Sequence, residues 1–319
     1  MKISMKHFSL LVLITLAYSC ASPQKEVPQE TEQESTPITY DWASIPVPAN
    51  AGEGMTWELQ SEVSDDFNYT ATPEGKSPEF NSKWYDSYHN QWKGPGLTAW
   101  TPEQVSVDNK HLIIESNRKP GTDKVSTGCI TSKTRVQYPV FIEAKAKLNK
   151  LVLASDVWLL SPDDTQEIDI LEAYGSTRQD NQWYSERLHL SHHVFVREPL
   201  QDYQPTDKGS WYYEGVRNWI DDWVTIGVYW IDPWNLEYYV NGKLVRTVTG
   251  QDTIDPKNFT EGTGLSKEMD IIINVEDQTW RSTPVQGSPQ LIATDEELAD
   301  DNLNKMYVDW IRVYKPIQQ

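Results

Sequence analysis

Residues 166–173 read Gln166-Glu167-Ile168-Asp169-Ile170-Leu171-Glu172-Ala173 and set three carboxylates among aliphatic side chains. Successive side chains of a β-strand point to opposite faces, so Glu167 and Asp169 share one face and the isoleucines share the other. Glu172 has the opposite parity, but one extra residue in the strand, a β-bulge, would return it to the face of Glu167. The stretch therefore predicts a bulged strand with an apolar core face and its carboxylates together on the other face.

The clustered charge of this stretch has two interpretations. The solvent-facing side of an amphipathic strand is commonly charged, but three carboxylates on one face repel one another, so interleaved Lys or Arg would be expected. None occurs between Asp163 and Arg178. Glycoside hydrolysis uses such a set, because one ionised carboxylate attacks the anomeric carbon and one protonated carboxyl group donates to the leaving oxygen. A third carboxylate can raise the pKa of the acid and orient the nucleophile.

Strand signals recur on both sides of this stretch. Residues 141–148 alternate between apolar and charged side chains, and Asn241-Gly242 between two apolar runs predicts a β-hairpin. One short helix is predicted from the N-cap residue Thr294 to about Asn302. The predicted strands, besides 236–240 and 244–248 of the hairpin, are 111–116, 128–136, 155–161, 187–195, 222–231, 269–276 and 306–315. So many strands with essentially no other helix predict an all-β sandwich or barrel.

The amino-acid composition indicates which kinds of molecule the protein can bind. The 319 residues carry a formal net charge of -19, which argues against a nucleic-acid partner and mildly disfavours densely sulfated polymers. Solubility of a secreted protein is an equally good reason for that acidity. The chain has 14 Trp and 16 Tyr, and aromatic rings stack on the apolar faces of sugars as well as filling cores.

The first twenty residues resemble an export signal. Lys2 and Lys6 precede an apolar run over 8–17, which is too short for a permanent membrane span. The run ends in Leu16-Ala17-Tyr18-Ser19-Cys20, which resembles a bacterial lipobox. We therefore expect a lipoprotein signal peptide over 1–20, lipidation at Cys20 and a protein anchored on the membrane of the bacterial cell envelope. Simple cleavage and secretion is the alternative.

The composition changes again near residue 40. Residues 21–41 contain Pro, Glu, Gln, Ser and Thr with almost nothing to bury, and we expect a flexible tether there. From there to the C-terminus the chain is rich in Trp and mixed in character, which predicts one folded domain over 42–317.

Several stretches together resemble a known family. Residues 158–175, WLLSPDDTQEIDILEAYG, resemble the active-site strand of glycoside hydrolase family 16, and within it the β-agarases. The resemblance extends to Gly94-Pro95-Gly96 with nearby Trp92, and to residues 190–195, 201–207, 274–281 and 307–314. Together these blocks cover about residues 42–316.

The resemblance implies a jelly-roll sandwich of two curved antiparallel sheets whose concave face forms an open cleft. It implies a retaining mechanism in which Glu167 is the nucleophile, Asp169 assists it and Glu172 is the acid/base. For β-agarases it implies endo-hydrolysis of β-1,4 bonds in agarose, an agar-type galactan, with release of neoagaro-oligosaccharides. No cofactor is required for this catalysis.

Other candidate residues follow from the resemblance and from their surroundings. Trp158, in a predicted strand, and Trp92, in a Gly-Pro-flanked loop, are expected to be sugar platforms, although a core position is the alternative for Trp158. His193, Arg197 and Glu276 are predicted to bind sugar hydroxyl groups. His189 and His193 have metalloprotease-like spacing, but their strand pattern argues against zinc.

A structural calcium ion is a further expectation, because such a site is common in the family. Asp65 and Asp309 are the predicted ligands, and solvent-exposed acids are the alternative. Two other functions stay open. A porphyranase or related galactanase would need Arg or Lys for a sulfate ester, and Arg197 and Arg281 are available. A non-catalytic lectin of the same fold is disfavoured, because it would have no reason to keep both glutamates.

Overall fold

The computed structural model describes residues 39–283 and 290–319. The predicted signal peptide, the Cys20 lipidation site and residues 21–38 of the predicted tether lie outside the described residues. No helix within these two ranges is long and apolar enough to cross a membrane.

Within the described residues the chain forms twenty strands. In chain order they are β1 Met55–Leu59, β2 Thr70–Ala71, β3 Trp84–Tyr85, β4 Thr98–Trp100, β5 Val105–Asp108, β6 Leu112–Glu115, β7 Asn117–Arg118, β8 Val125–Thr127, β9 Cys129–Ser132, β10 Val140–Lys147, β11 Ala154–Leu160, β12 Gln166–Tyr174, β13 Arg187–Arg197, β14 Leu200–Tyr203, β15 Trp211–Tyr213, β16 Val224–Asp232, β17 Asn235–Val240, β18 Lys243–Thr249, β19 Asp270–Glu276 and β20 Lys305–Gln318.

Short helices connect some of these strands. They are α1 Pro78–Lys83, α2 Gln182–Ser185, α3 Gln251–Ile254, α4 Thr279–Ser282 and α5 Asp295–Leu298. The predicted helix is α5, and its Thr294 and Glu297 form a reciprocal capping box. The other four helices have four to six residues and were not predicted, because they are too short to show a helical hydrophobic period.

Two large antiparallel sheets build the domain. The first has the order β18-β17-β16-β10-β20-β6-β5-β2, with β1 also pairing with β20, and the second has the order β14-β13-β12-β11-β19-β9-β3, with β15 also pairing with β13. A small third sheet, β4-β8-β7, contains a parallel pair. The predicted all-β jelly-roll sandwich is confirmed.

Side-chain alternation decides which face of each sheet is buried. In β10 of the first sheet Ile142 and Ala144 belong to the same buried apolar cluster as Ile168 and Ile170 of β12 in the second sheet. Because these side chains occupy the core between the sheets, the opposite face of β12 carries the carboxylates.

The predicted bulge in β12 is present. Val157 of β11 pairs with Leu171, but the next residue, Trp158, pairs with Asp169, so Ile170 is the extra residue. The pairing of β12 with β13 shifts over the same interval, between Asp169 and Glu172. The bulge therefore brings Glu172 to the same face as Asp169.

Candidate active site

A cleft lies over the carboxylate face of the second sheet. All of the predicted catalytic and sugar-binding residues line it. The lining residues are Tyr88, Trp92, Pro95, Asp156, Trp158, Glu167, Asp169, Leu171, Glu172, His189, His193, Phe195, Arg197, Asp202, Gln204, Trp211, Glu276, Gln278 and Trp280. The mixture of carboxylates and aromatic rings suits a sugar chain, which offers both hydroxyl groups and apolar ring faces.

His193 occupies the space between three carboxylates. Its Nε2 lies 3.5 Å from Asp169 Oδ2 and 3.9 Å from Glu167 Oε1, and its Nδ1 lies 2.9 Å from Asp202 Oδ1. Burial opposes a charge on the ring, but Glu167, Asp202 and Asp169 outweigh it and raise the pKa of His193 to about 10. His193 is therefore an imidazolium cation at neutral pH, beside the predicted nucleophile.

Glu167 and Asp169 influence each other's pKa. Burial and the neighbouring Asp169 raise the pKa of Glu167. Burial also raises the pKa of Asp169, while the His193 cation works in the opposite direction. Two neighbouring carboxyl groups that influence each other in this way titrate as a coupled pair.

Glu172 has different neighbours. His189 Nδ1 lies 2.5 Å from Oε2 of Glu172, and the Tyr174 hydroxyl donates to Oε1. Burial alone would raise the pKa of Glu172, but His189 and these hydrogen bonds lower it. The Trp211 ring stacks on the imidazole of His189, with ring centroids 4.1 Å apart, and helps to hold it in place. The two predicted catalytic glutamates therefore lie in distinct electrostatic surroundings.

The two predicted sugar platforms differ in how they are held. Trp158 is partly buried, and its Nε1 donates to Asn274 Oδ1 at 2.6 Å. Trp92 is 49% exposed and makes edge contacts with Tyr88 and Trp100, with centroids 5.6 Å apart in each pair. A ring this exposed beside a cleft is available for stacking.

The remaining predicted binding residues also lie at the cleft. Glu276 accepts hydrogen bonds from Asn274 Nδ2 at 3.1 Å and Gln278 Nε2 at 2.6 Å. Arg197 is exposed and lies over the Phe195 ring, with its guanidinium carbon 4.2 Å from the ring centroid.

Asp65 and Asp309, the predicted calcium ligands, both have protein partners. Asp65 is buried, and its carboxylate accepts from Trp84 Nε1 at 2.8 Å, from the Tyr69 hydroxyl at 2.9 Å and from the Phe67 amide at 3.1 Å. Asp309 forms a salt bridge with Lys145 at 2.7 Å. Both carboxylates therefore have protein partners in this structure, and calcium binding by them stays a prediction.

One group of three within the described ranges has its His and carboxylate atoms close enough for a metal ion, namely Glu167, Asp169 and His193. The pKa of His193, raised to about 10 by Glu167, Asp202 and Asp169 against the effect of burial, makes its ring a cation there. A metal ion would have to displace the proton of this ring in order to bind it.

Residues 57–316 match the family model described as "Beta-porphyranase A-D, GH16 domain". The chain belongs to glycoside hydrolase family 16. Beta-agarase AgaA of Microbulbifer thermotolerans is 59% identical over 278 residues, which are 87% of this chain and 63% of that protein. This family 16 chain therefore spans less than two thirds of that relative. Porphyranases also match, at lower identity.

Another similar family 16 protein is Beta-agarase B of Zobellia galactanivorans, 53% identical over 308 residues, or 91% of this chain and 87% of that one. Among solved structures, the inactivated mutant beta-agarase B in complex with agaro-octaose superposes with a TM-score of 0.85 at 54% identity. The superposition covers 88% of this chain and 100% of the chain in the solved structure.

Four residues beyond those predicted from the sequence complete this family 16 site. His189 had a signal, since it shares strand parity with His193 and the bulge pairs it with Glu172. Tyr174 follows Glu172 at a spacing of two, although only the structure shows its hydroxyl bonded to that carboxylate. Asp156 and Asn274 are polar residues in otherwise apolar strands, a pattern that often marks a buried functional group.

Proposed function

We propose that this chain is a retaining endo-hydrolase that cleaves β-1,4-galactosidic bonds of agarose and releases neoagaro-oligosaccharides. The observation that carries the proposal is the bulged strand β12, which sets Glu167, Asp169 and Glu172 in one cleft with aromatic rings. Relatives named beta-agarases, at 59% and 53% identity, support agarose as the substrate. Hydrolysis by these carboxylates needs no cofactor.

The reaction proceeds in two steps. In the first, the Glu167 carboxylate bonds to the anomeric carbon while the glycosidic C–O bond breaks and Glu172 gives its proton to the leaving oxygen. In the second, water attacks the same carbon, Glu172 takes a proton from that water, and Glu167 leaves as a carboxylate. Each step inverts the anomeric carbon, so the product keeps the configuration of the substrate.

Asp169 and His193 adjust the charge of the nucleophile. Glu167 must be ionised to attack, although burial and the charge of Asp169 raise its pKa. The nearby His193 imidazolium opposes that effect, because it stabilises the ionised Glu167 carboxylate and orients it through its ion pairs.

The charge of the cleft favours a neutral galactan. Six carboxyl groups line it, those of Asp156, Glu167, Asp169, Glu172, Asp202 and Glu276, whereas Arg197 is the one Arg or Lys among the described lining residues. A neutral chain is recognised by stacking and hydrogen bonds and meets no repulsion there. A sulfate ester would lie among carboxylates.

Arg197 is the specific observation in favour of a second candidate, a porphyranase. Its guanidinium group is exposed at the cleft and could pair with a sulfate ester. Arg281, the other cation named for that role, is buried, donates to Asn181 and packs against Tyr174 and Tyr184, so it does not face the cleft.

Reducing-sugar release from agarose, porphyran and carrageenan, measured in parallel, tests the substrate. We expect hydrolysis of agarose at a rate that changes little with ionic strength. Action on carrageenan should be much weaker, because its sulfate groups are repelled by the acidic protein, and 0.1 M salt screens that repulsion only beyond about 10 Å. Robust cleavage of porphyran with inert agarose would assign the chain to the porphyranases.

Export and anchoring of the enzyme form a separate proposal. The Lys residues, the apolar run and Cys20 at the N-terminus support a lipid-anchored protein on the cell envelope that acts on an external polysaccharide. Metabolic labelling with a fatty-acid probe tests it, with the Cys20→Ser variant as the matched control. Equal labelling of both proteins, or none in either, would contradict anchoring at Cys20.

A further inference from the structure

A single buried amide connects three side chains that line the cleft. Asn274, in β19, is fully buried and does not itself line the cleft. Its Oδ1 accepts from Trp158 Nε1 at 2.6 Å, and its Nδ2 donates to Asp156 Oδ2 at 2.9 Å and to Glu276 Oε2 at 3.1 Å. The contacts fix the orientation of the amide, because the indole N–H can only donate and the carboxylates need donors.

The register of the strands creates this arrangement. Asn274 pairs with Asp156 on the neighbouring strand β11, and Trp158 and Glu276 are each two residues further along their own strands. Side chains two residues apart share a face, so all four groups lie on the cleft side of the sheet. The neighbours Ile273 and Val275 point into the apolar core and hold the backbone of Asn274 in place.

The contact with Trp158 controls a sugar platform. The Trp158 ring packs on one side against the small apolar cluster of Tyr88, Trp100 and Ile272 and is partly exposed on the other. Packing of this kind leaves a flat ring some freedom to tilt, whereas a hydrogen bond at its edge restricts that motion. A platform aids catalysis only when its plane is fixed relative to the reacting groups.

The contacts of Asn274 with the Asp156 and Glu276 carboxyl groups affect the charge of those two groups. No salt bridge among the described residues involves Asp156 or Glu276, so the Asn274 amide is the shared donor between them. Glu276 has a second donor in Gln278, whereas Oδ1 of Asp156 is buried without a partner. Burial, together with Glu276 and Glu172, raises the pKa of Asp156.

We propose that Asn274 is a positioning residue that holds the Trp158 platform and the Asp156 and Glu276 carboxyl groups in one arrangement beside the catalytic carboxylates, without touching the sugar. The inference rests on the proposed function, because it takes Trp158 to be a surface that binds the galactan. It predicts that changes at Asn274 act on substrate binding through Trp158 and through the charge of its neighbours.

Asn274→Asp is the most informative substitution, because it keeps the shape and the acceptor for Trp158 but replaces the donor with an oxygen that faces two carboxyl groups. At pH 8 we expect KM for agaro-oligosaccharides to rise about tenfold, with a smaller change in kcat, since about 1.4 kcal/mol corresponds to a factor of ten. At pH 5 the new carboxyl group regains a proton, and KM should recover partly.

The exposed Asn50, outside the cleft lining, provides the matched control Asn50→Asp. An Asn274→Asp variant with normal KM at both pH values would overturn the inference.

A double-mutant cycle separates positioning from general damage to the fold. Trp158→Phe removes the indole donor, so the effect of Asn274→Asp on KM should be clearly smaller in the Trp158→Phe background. Fully additive effects would contradict a route through Trp158.

One readout depends neither on activity nor on the substrate. In the wild-type protein the indole N–H signal of Trp158, assigned by its loss in Trp158→Phe, should exchange with solvent much more slowly than those of the exposed Trp92, Trp183 and Trp280. Equally fast exchange would overturn the inference even if agarose is cleaved. Slow exchange with no agarose cleavage would support the hydrogen bond while the proposed function fails.

Discussion

His189 Nδ1 lies 2.5 Å from Oε2 of Glu172, the predicted acid/base. This contact lowers the pKa of Glu172 against the effect of burial, so the free enzyme favours the ionised carboxylate. Acid catalysis needs a proton on Glu172. A sugar chain in the cleft excludes water, which disfavours the ionised carboxylate and favours the protonated carboxyl group.

Replacing His189 should therefore change the pH profile on its alkaline side. Glu172 acts as an acid only when protonated, and His189→Gln removes a neighbour that lowers its pKa. The alkaline limb of kcat/KM should move to higher pH, while kcat falls because the carboxyl group loses an orienting partner. Tyr174→Phe, which removes the hydroxyl donor to the same carboxylate, should move that limb in the same direction. A limb unmoved in both variants would show that Glu172 does not control it.

Substituting the two catalytic glutamates should abolish hydrolysis and leave the fold in place. Glu167→Gln and Glu172→Gln keep the side-chain volume, and both residues are only half-buried at the cleft, so the melting temperature should change little. Reducing-sugar release and circular dichroism provide the measurement, and oligosaccharide binding should persist in both. Full activity in either variant would refute the assigned roles.

Asp169→Asn should move the acidic limb of the profile. Burial and then Asp169 raise the pKa of Glu167, which must be ionised to attack, so activity is lost as the pH falls through this raised pKa. Removing the charge of Asp169 lowers the pKa of Glu167, and the acidic limb of kcat/KM should shift to lower pH by about one unit. A shift in the opposite direction would mean that Asp169 does not repel the charge of Glu167.

Retention should follow from the roles proposed for Glu167 and Glu172. Retaining enzymes hold their carboxyl groups about 5 to 5.5 Å apart, whereas inverting enzymes need room for a water molecule. Proton NMR of the first products should therefore show the β-anomer before mutarotation sets in. Initial release of the α-anomer would exclude Glu167 as a nucleophile.

Removing the Trp158 ring should weaken turnover without unfolding the protein. Trp158→Ala removes a partly exposed platform, and stacking of this type is worth about 1 to 3 kcal/mol on the scale measured for nucleic-acid bases. That range corresponds to a loss in kcat/KM of roughly 5-fold to 150-fold. Trp183→Ala, at an exposed ring that does not line the cleft, is the control and should retain most activity.

The amino-acid sequence alone determined the all-β class, the carboxylate strand and its bulge. These features depend on local rules, because alternation with a period of two and the turn at Asn241-Gly242 are written in neighbouring residues. The sequence likewise showed that Glu172 shares a face with Glu167 only if the strand contains one extra residue. Helices of a single turn were missed, since four residues contain no period to detect.

Only the tertiary structure decided what surrounds each carboxylate. His189, Asp156 and Asn274 lie 17, 16 and 102 residues from Glu172 along the chain, and strand pairing brings them into one row across the sheet. The same pairing gives Asp309 a lysine partner and Asp65 three protein donors, none of which the sequence predicted. Burial and contacts between distant strands set the charge state of a carboxyl group, and neither is a property of its neighbours in sequence.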